Sequence, residues 1–170
     1  MLSGSLSLIG SFASFQVLQG CFLTEANLRT SIFELSVIWL LVILLSSICH
    51  VYFTTRKARQ TGQPAWSRLT RLILYAFSPP FIIGSFLTLF LVWQQKLIWI
   101  PGIWMICYGL AVWSAALFSI MEPRWLGLFM MLTGLMTLFA ATSYGLVLLA
   151  VSFGCFHLIY GIRIYIKYGG

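Results

Sequence analysis

The sequence predicts an all-α fold, in which residues 1–170 form a single transmembrane domain, a polytopic bundle of about six helices. Of its residues, 61% are hydrophobic and only 8% are charged, whereas about 25% of the residues in ordinary soluble domains are charged. The mean hydropathy is +0.98. The apolar residues fall into runs of about 20, which is the length that an α-helix needs to cross a hydrocarbon core while satisfying its own backbone hydrogen bonds.

Six apolar segments are expected to form these helices. They cover approximately residues 5–24, 32–55, 71–93, 99–120, 125–142 and 144–166. The first segment is the weakest of the six, because it is rich in serine and contains Gln16 and Gln19. Its hydropathy alone leaves three interpretations open, namely a span, a signal peptide and an interfacial helix.

The end of the first segment contains a possible lipoprotein cleavage site. Leu18-Gln19-Gly20-Cys21 fits the loose bacterial pattern in which the cysteine is lipidated and everything before it is removed. Secretory signals normally open with basic residues, however, and no Lys or Arg precedes Arg29. The sequence therefore favours a retained first span over lipidation of Cys21.

The basic residues predict the topology of the bundle. Five of them lie in or beside the loop that follows the second helix: Arg56, Lys57, Arg59, Arg68 and Arg71. Lys and Arg collect in cytoplasmic loops, so this loop is expected in the cytoplasm. Counting outward then places Lys96 outside and Arg124, Arg163 and Lys167 inside, with both termini cytoplasmic. This topology explains the net charge of +7 without nucleic acid as a partner.

The third helix contains two consecutive prolines, Pro79 and Pro80, about two turns after its start. A proline inside a helix removes an amide donor and clashes with the preceding turn. We therefore expect this helix to kink or to restart at these residues.

The last three helices carry glycines at a spacing of seven residues, which is close to two helical turns. Both glycines of each pair therefore face one way, and small residues allow the helix backbones to approach closely in a membrane. The pairs are Gly102 and Gly109, Gly127 and Gly134, and Gly154 and Gly161. The spacing predicts a tight bundle of these three helices.

His157 is the main candidate for a functional residue, because an ionisable side chain inside a span indicates a functional role. It lies near the middle of the sixth helix, between Gly154 and Gly161. It could ligate a haem or chlorophyll-type pigment, relay protons, or form a hydrogen bond to another helix, and the last role is favoured because one partner satisfies a neutral imidazole. His50 is the candidate for a second haem ligand, but its depth differs by roughly 7 Å.

The remaining polar residues argue against an enzyme. The chain has no Asp, and its only acids are Glu25, Glu34 and Glu122. The cysteines occur singly, without the spacing of a zinc or redox site. Two histidines and three glutamates do not assemble into a specific set of nucleophile, base and orienting group. No catalytic residue and no metal ligand is therefore predicted.

Several short motifs from about residue 45 onward support a resemblance to known proteins. They are Arg56-Lys57-Ala58-Arg59, Ser78-Pro79-Pro80, Pro101-Gly102-Ile103-Trp104, Tyr108-Gly109, Phe118-Ser119, Gly127-Leu128-Phe129-Met130 with Gly134, Phe153-Gly154 with His157, and Tyr168-Gly169-Gly170. Together they resemble a group of small bacterial integral membrane proteins for which no activity is established. Genes of that group often lie beside those of winged-helix regulators, so the resemblance implies a regulated function in the bacterial inner membrane.

Three hypotheses about function remain. The leading one is a non-enzymatic accessory, assembly or sensing subunit of a membrane complex, bound to other membrane protein subunits or to itself. It rests on the glycine pairs and on the scarcity of polar residues. The second is a subunit that binds haem or a chlorophyll-type pigment through His157. The third is a small module for solute transport or substrate capture, suggested by the prolines of the third helix.

Overall fold

The computed structural model describes residues 2–20, 25–60, 62, 64, 66–118, 122–140 and 144–168, and helices are its only regular secondary structure there. These residues form six helical rods. They are α1 (Leu2–Gly20), α2 (Glu25–Gln60), α3 (Arg68–Trp93), α4 (Ile100–Ala115), α5 (Glu122–Ala140), and a sixth rod made of α6 (Gly145–Ala150), a π-helical segment (Val151–Phe156) and α7 (His157–Tyr168). Short 3₁₀ turns, Leu97–Trp99 and Ala116–Phe118, flank α4. The prediction of an all-α fold is confirmed.

Four of the rods are long and apolar enough to cross a membrane. The candidate spans are Phe33–Gln60, Arg68–Trp93, Leu97–Phe118 and Gly145–Lys167. They indicate a multi-pass membrane protein. The first and fifth rods, α1 and α5, are helices of 19 residues each, and their crossing of the membrane stays a prediction. Cys21 lies outside the described residues, so its lipidation is untested.

The second rod is longer than its apolar segment. We expected a helix over about residues 32–55, whereas α2 has 36 residues and runs from Glu25 to Gln60. The added turns contain Glu, Ala, Arg, Lys and Gln, which favour helix as strongly as most apolar residues do. Hydropathy identifies the apolar part of a helix, which can lie in the hydrocarbon core, but the helix itself continues into its polar flanks.

The third rod continues through its two prolines. The helix is unbroken from Arg68 to Trp93 with Pro79 and Pro80 inside it, so it does not restart there, and the kink itself stays a prediction. Pro79 lacks the amide hydrogen that would bond to the carbonyl oxygen of Tyr75, four residues earlier. The Ser78 hydroxyl donates to that oxygen at 3.3 Å. Such substitution by a serine is one way in which membrane helices tolerate proline.

The closest helix packing is between α4 and α5, at two pairs of glycines. A Cβ atom added to Gly109 would lie 2.6 Å from the carbonyl oxygen of Gly127, and one added to Gly127 would lie 2.6 Å from that of Gly109. At the second pair, a Cβ on Gly134 would lie 2.8 Å from the carbonyl oxygen of Gly102. The two antiparallel backbones therefore touch at both places, and no larger residue fits between them.

The other rods surround this pair of helices. Helix α3 packs against α4, while α1 packs against the sixth rod, where a Cβ on Gly154 would overlap the Leu8 side chain. Helix α2 lies at the edge of the bundle, with α1 as its main neighbour. A small core of Val112, Leu126 and Met130 lies between α4 and α5.

Two contacts show which helix ends lie together. At one end of the bundle, Lys167 of α7 forms an ion pair with Glu122 at the start of α5. At the opposite end, the start of α6 at Gly145 lies against Pro101 of α4 and Thr137 of α5, at distances of 3.5–3.6 Å from an added Cβ. The three helices α4, α5 and the sixth rod therefore alternate in direction.

Candidate functional site

The candidate site is a pair of hydrogen-bonded side chains at the middle of the bundle. The hydroxyl of Tyr108 on α4 lies 2.9 Å from Nε2 of His157 on the sixth rod. Both residues lie near the centre of their spans, Leu97–Phe118 and Gly145–Lys167. His157 is 9% exposed. Two polar groups that would be costly alone in hydrocarbon thus satisfy one another.

The second ring nitrogen determines the tautomer of His157. Its Nδ1 lies 3.4 Å from the carbonyl oxygen of Ser152, and a carbonyl oxygen can only accept a hydrogen bond. We therefore place the proton of a neutral imidazole on Nδ1, which leaves Nε2 as an acceptor for the Tyr108 hydroxyl. The hydrogen bonds then run in one direction, from Tyr108 through the imidazole to the backbone of Ser152. A charged imidazole would be far more costly at this depth.

The Ser152 carbonyl belongs to the π-helical segment, which directly precedes His157. A π-helical turn is wider than an α-helical one and is found mostly as a short insertion, often at a functional site. Ser152 itself is fully buried, and its hydroxyl has no hydrogen-bond partner among the described residues. The segment also packs against α1. The irregular part of the sixth rod therefore lies inside the protein, where neighbouring helices cover it.

Aromatic rings enclose the hydrogen-bonded pair. The ring of Phe153 lies 5.9 Å from the imidazole, at 10° to it, and its centroid is 4.8 Å from that of Tyr108. On the other side of Tyr108, Phe77 and Phe81 of α3 meet it edge to face, both at 5.9 Å. Aromatic contacts in these geometries add about 0.5–1.5 kcal/mol each beyond their buried area. They connect α3, α4 and the sixth rod around the pair.

The geometry around His157 does not fit a tetrapyrrole ligand. A metal would need the lone pair of a ring nitrogen, yet Tyr108 occupies Nε2 and Nδ1 faces the Ser152 carbonyl. Because Nε2 is occupied, the Tyr108 hydroxyl would have to leave before a metal could bind there. Phe153 also covers one face of the ring. His50 lies on α2, and its side chain is outside the described part of the structure.

The predicted packing glycines occupy different environments. Four of them form the close contacts between α4 and α5 described above, and Gly154 lies against α1. Gly161 is half-buried on α7. The contact face of the sixth rod at Gly154 is therefore directed toward α1, a neighbour that the heptad spacing alone did not suggest.

Two parts of the site were missed by reasoning from the sequence. Tyr108 was noted only within a motif, and the π-helical segment was not predicted. One signal for Tyr108 was present, because a tyrosine at the centre of a span needs a partner for its hydroxyl. His157, predicted near the middle of the sixth helix, was one of the polar side chains at similar depth that could accept such a bond.

Within the described residues, no group of three or more His, Cys, Asp or Glu side chains is arranged to hold a metal ion. Comparisons with protein-family models, with curated proteins and with solved structures give no match to this chain.

Proposed function

We propose that this protein is a non-enzymatic subunit of a membrane complex, with an accessory, assembly or sensing role, and that it binds another membrane protein or a second copy of itself through α2. The observation that carries the proposal is the position of α2 at the edge of the bundle. It is one of the four candidate spans, and none of its most apolar window is buried inside the protein.

One side of α2 has the composition of a helix contact. We call it the α2 face, and its residues are all exposed: Ser36, Leu40, Ile43, Leu44, Ser47 and Val51. Apart from the neighbours Ile43 and Leu44, they follow one another at intervals of three or four. Residues at these intervals lie on one side of a helix. Ser47 is near the middle of the span, where its hydroxyl donates to the Ile43 carbonyl at 2.7 Å. Small residues at mid-membrane allow a second helix to approach closely.

The interior of the bundle supports a structural role for the polar residues. Tyr108 and His157 bond to one another, so the most prominent ionisable group inside the spans contributes to holding α4 against the sixth rod. The closely packed glycines of α4 and α5 hold those two helices together, and α2 joins the bundle through α1. In a sensing role, the protein would bind a partner and respond to the state of that partner.

The resemblance to small bacterial membrane proteins is part of the same proposal. The resemblance implies a bacterial inner membrane, and the distribution of Lys and Arg predicts that both termini lie in the cytoplasm. The resemblance also implies that the cell makes the protein under specific conditions, which suits an assembly factor or a sensor.

The experiment replaces Ser47 with Trp, which adds a large side chain at the centre of the α2 face. Ser85→Trp is the matched control, because Ser85 is also an exposed serine on a span, with its hydroxyl bonded to the Phe81 carbonyl at 2.9 Å. The protein is extracted from its native membrane in polymer nanodiscs and examined by native mass spectrometry. An overpacked contact costs about 1–3 kcal/mol, which is about fivefold to 150-fold in affinity.

We expect the wild type and Ser85→Trp to carry a second membrane chain at fixed stoichiometry, and Ser47→Trp to lose about nine-tenths of it. An equal loss in both variants would show that the α2 face is not the contact. A wild type that remains strictly monomeric, with no second protein, would contradict the proposed function itself.

A further inference from the structure

The outer side of α7 combines an apolar groove with two cations. The groove is shallow and open, and all the residues that line it belong to α7: Ile159, Ile162, Arg163, Ile166 and Lys167. The three isoleucines are exposed, at 63%, 45% and 78%, and they lie along the part of α7 that belongs to a candidate span. Arg163 and Lys167 lie one turn apart toward the carboxyl end of the same helix.

Lys167 is held in place by a contact with another helix. Its ammonium group forms an ion pair with Glu122, whose side chain is only 11% exposed. The pair fixes the carboxyl end of α7 against the start of α5. Arg163 is exposed and has no carboxylate partner among the described residues. The groove thus ends in one ammonium group held by Glu122 and one guanidinium group that no carboxylate neutralises among the described residues.

A third cation lies at this end of the bundle and strengthens the excess of positive charge. Arg124 follows Glu122 by two residues on α5, and its Nε is buried without a hydrogen-bond partner among the described residues. The whole chain has ten Lys and Arg but only three acids. Guanidinium groups bind phosphate in a bidentate manner, so a phosphate suits the exposed guanidinium group of Arg163.

We propose that the α7 groove binds an anionic phospholipid. The acyl chains lie along Ile159, Ile162 and Ile166, and the headgroup phosphate accepts hydrogen bonds from Arg163 and Lys167. The apolar residues of the groove belong to a span, and the cations lie toward its end. Apolar groups are therefore followed by charged ones along α7, as acyl chains are followed by the headgroup in a lipid. The carboxylate of Glu122 competes with the phosphate for Lys167 and sets the strength of binding.

The test measures association of spin-labelled phosphatidylglycerol and phosphatidylcholine with the full-length protein in phosphatidylcholine vesicles at 0.1 M salt. Arg163→Gln combined with Lys167→Gln removes both cations of the groove. Arg56→Gln combined with Arg59→Gln is the control, because it removes two equally exposed cations from the end of α2. Glu122→Gln removes the competing carboxylate, and each variant is checked for folding by circular dichroism.

We expect the wild type to prefer phosphatidylglycerol. General attraction of a basic residue to an anionic surface contributes about fivefold, so we expect the control to lower the preference by up to that factor for each cation, the groove variant to lower it by more, and Glu122→Gln to raise it. The proposal is overturned if the control loses as much preference as the groove variant does, or if neither changes. Displacement of the labelled lipid by inorganic phosphate at millimolar concentration would also overturn it, because the ligand would then be a free anion.

Discussion

Among single residues, Tyr108 and His157 are polar side chains at the centre of a bilayer, where no water is available as a hydrogen-bond partner. Each therefore needs a partner within the protein. Their hydrogen bond of 2.9 Å uses the donor of one and the acceptor of the other. The remaining donor of the imidazole is directed at the Ser152 carbonyl, 3.4 Å away. Each group is satisfied only while α4 and the sixth rod stay in register, so the pair selects one packing of these helices.

Replacing Tyr108 with Phe tests this pair. The ring and its aromatic contacts remain, but Nε2 of His157 loses its donor and stays buried. A buried acceptor without a partner costs about 1–3 kcal/mol, so we expect the free energy of unfolding to fall by that amount. The measurement is unfolding in mixed micelles of detergent and sodium dodecyl sulfate.

Tyr75→Phe is the control for this substitution, because the Tyr75 side chain is 73% exposed and should lose little stability. The double variant Tyr108→Phe with His157→Phe removes both partners, and its loss should be smaller than the sum of the two single losses. Additive losses, or an equal effect of Tyr75→Phe, would show that the two side chains are not coupled.

The position of His157 could be predicted from the sequence, whereas its partner could not. Hydropathy and spacing place His157 near the middle of its helix. Tyr108 is 49 residues away along the chain, and the meeting of the two depends on how α4 packs against the sixth rod. Local patterns contain no such information.

At the scale of helices, the glycines of α4 and α5 determine how closely two backbones approach. Gly109 and Gly127 leave no room for even a methyl group, because the atom that it would meet is a backbone oxygen rather than the end of a flexible side chain. The heptad spacing is visible in the sequence because the same face repeats every two turns. Which helix that face meets is decided by the whole bundle, as Gly154 and its contact with α1 show.

Substituting Gly109 with Ala should separate α4 from α5. Overpacking of this kind costs about 1–3 kcal/mol, which outweighs the gain of about 0.5–1 kcal/mol from the higher helix propensity of Ala. We expect a lower free energy of unfolding in the same mixed-micelle measurement.

Gly145→Ala is the matched control for Gly109→Ala. An added Cβ there would have its nearest neighbours at 3.5 and 3.6 Å, which is ordinary contact, so we expect no loss of stability. If both glycine variants lost equal stability, close contact of the backbones would not be the reason.

The π-helical segment and the unbroken course of α3 through its prolines are two features of the helices that could not be predicted from the sequence. A sequence pattern shows where a helix lies, but the extra residue of a π turn changes only the local hydrogen bonds. The sixth rod accommodates it because α1 covers that side. In α3, the hydroxyl of Ser78 replaces the bond lost at Pro79, a compensation that allows the helix to continue where a restart was one expectation.

In the whole molecule, the ion pair between Lys167 and Glu122 holds the end of α7 beside the start of α5, at one end of the bundle. Both of these segments contain basic residues. The rule that Lys and Arg collect in the cytoplasm then predicts that this end is cytoplasmic. With α1 and α5 as further spans, both termini would lie on the same side.

Reporter fusions test this topology. We expect a cytoplasmic reporter, such as a fluorescent protein that does not mature in the periplasm, to be active at both termini. A periplasmic phosphatase should be active when it is inserted beside Lys96 and inactive at both termini. Activity of the phosphatase at either terminus would show that one of the two 19-residue helices does not cross the membrane.

This bundle is proposed to function by association, through the exposed α2 face. The test is the mass of the wild-type particle released from its native membrane in polymer nanodiscs, with lipid subtracted. We expect a particle that contains one 19.2 kDa chain together with a second membrane chain or a second copy, at constant stoichiometry. A particle with a single copy of this chain and no other protein, at every concentration measured, would contradict it.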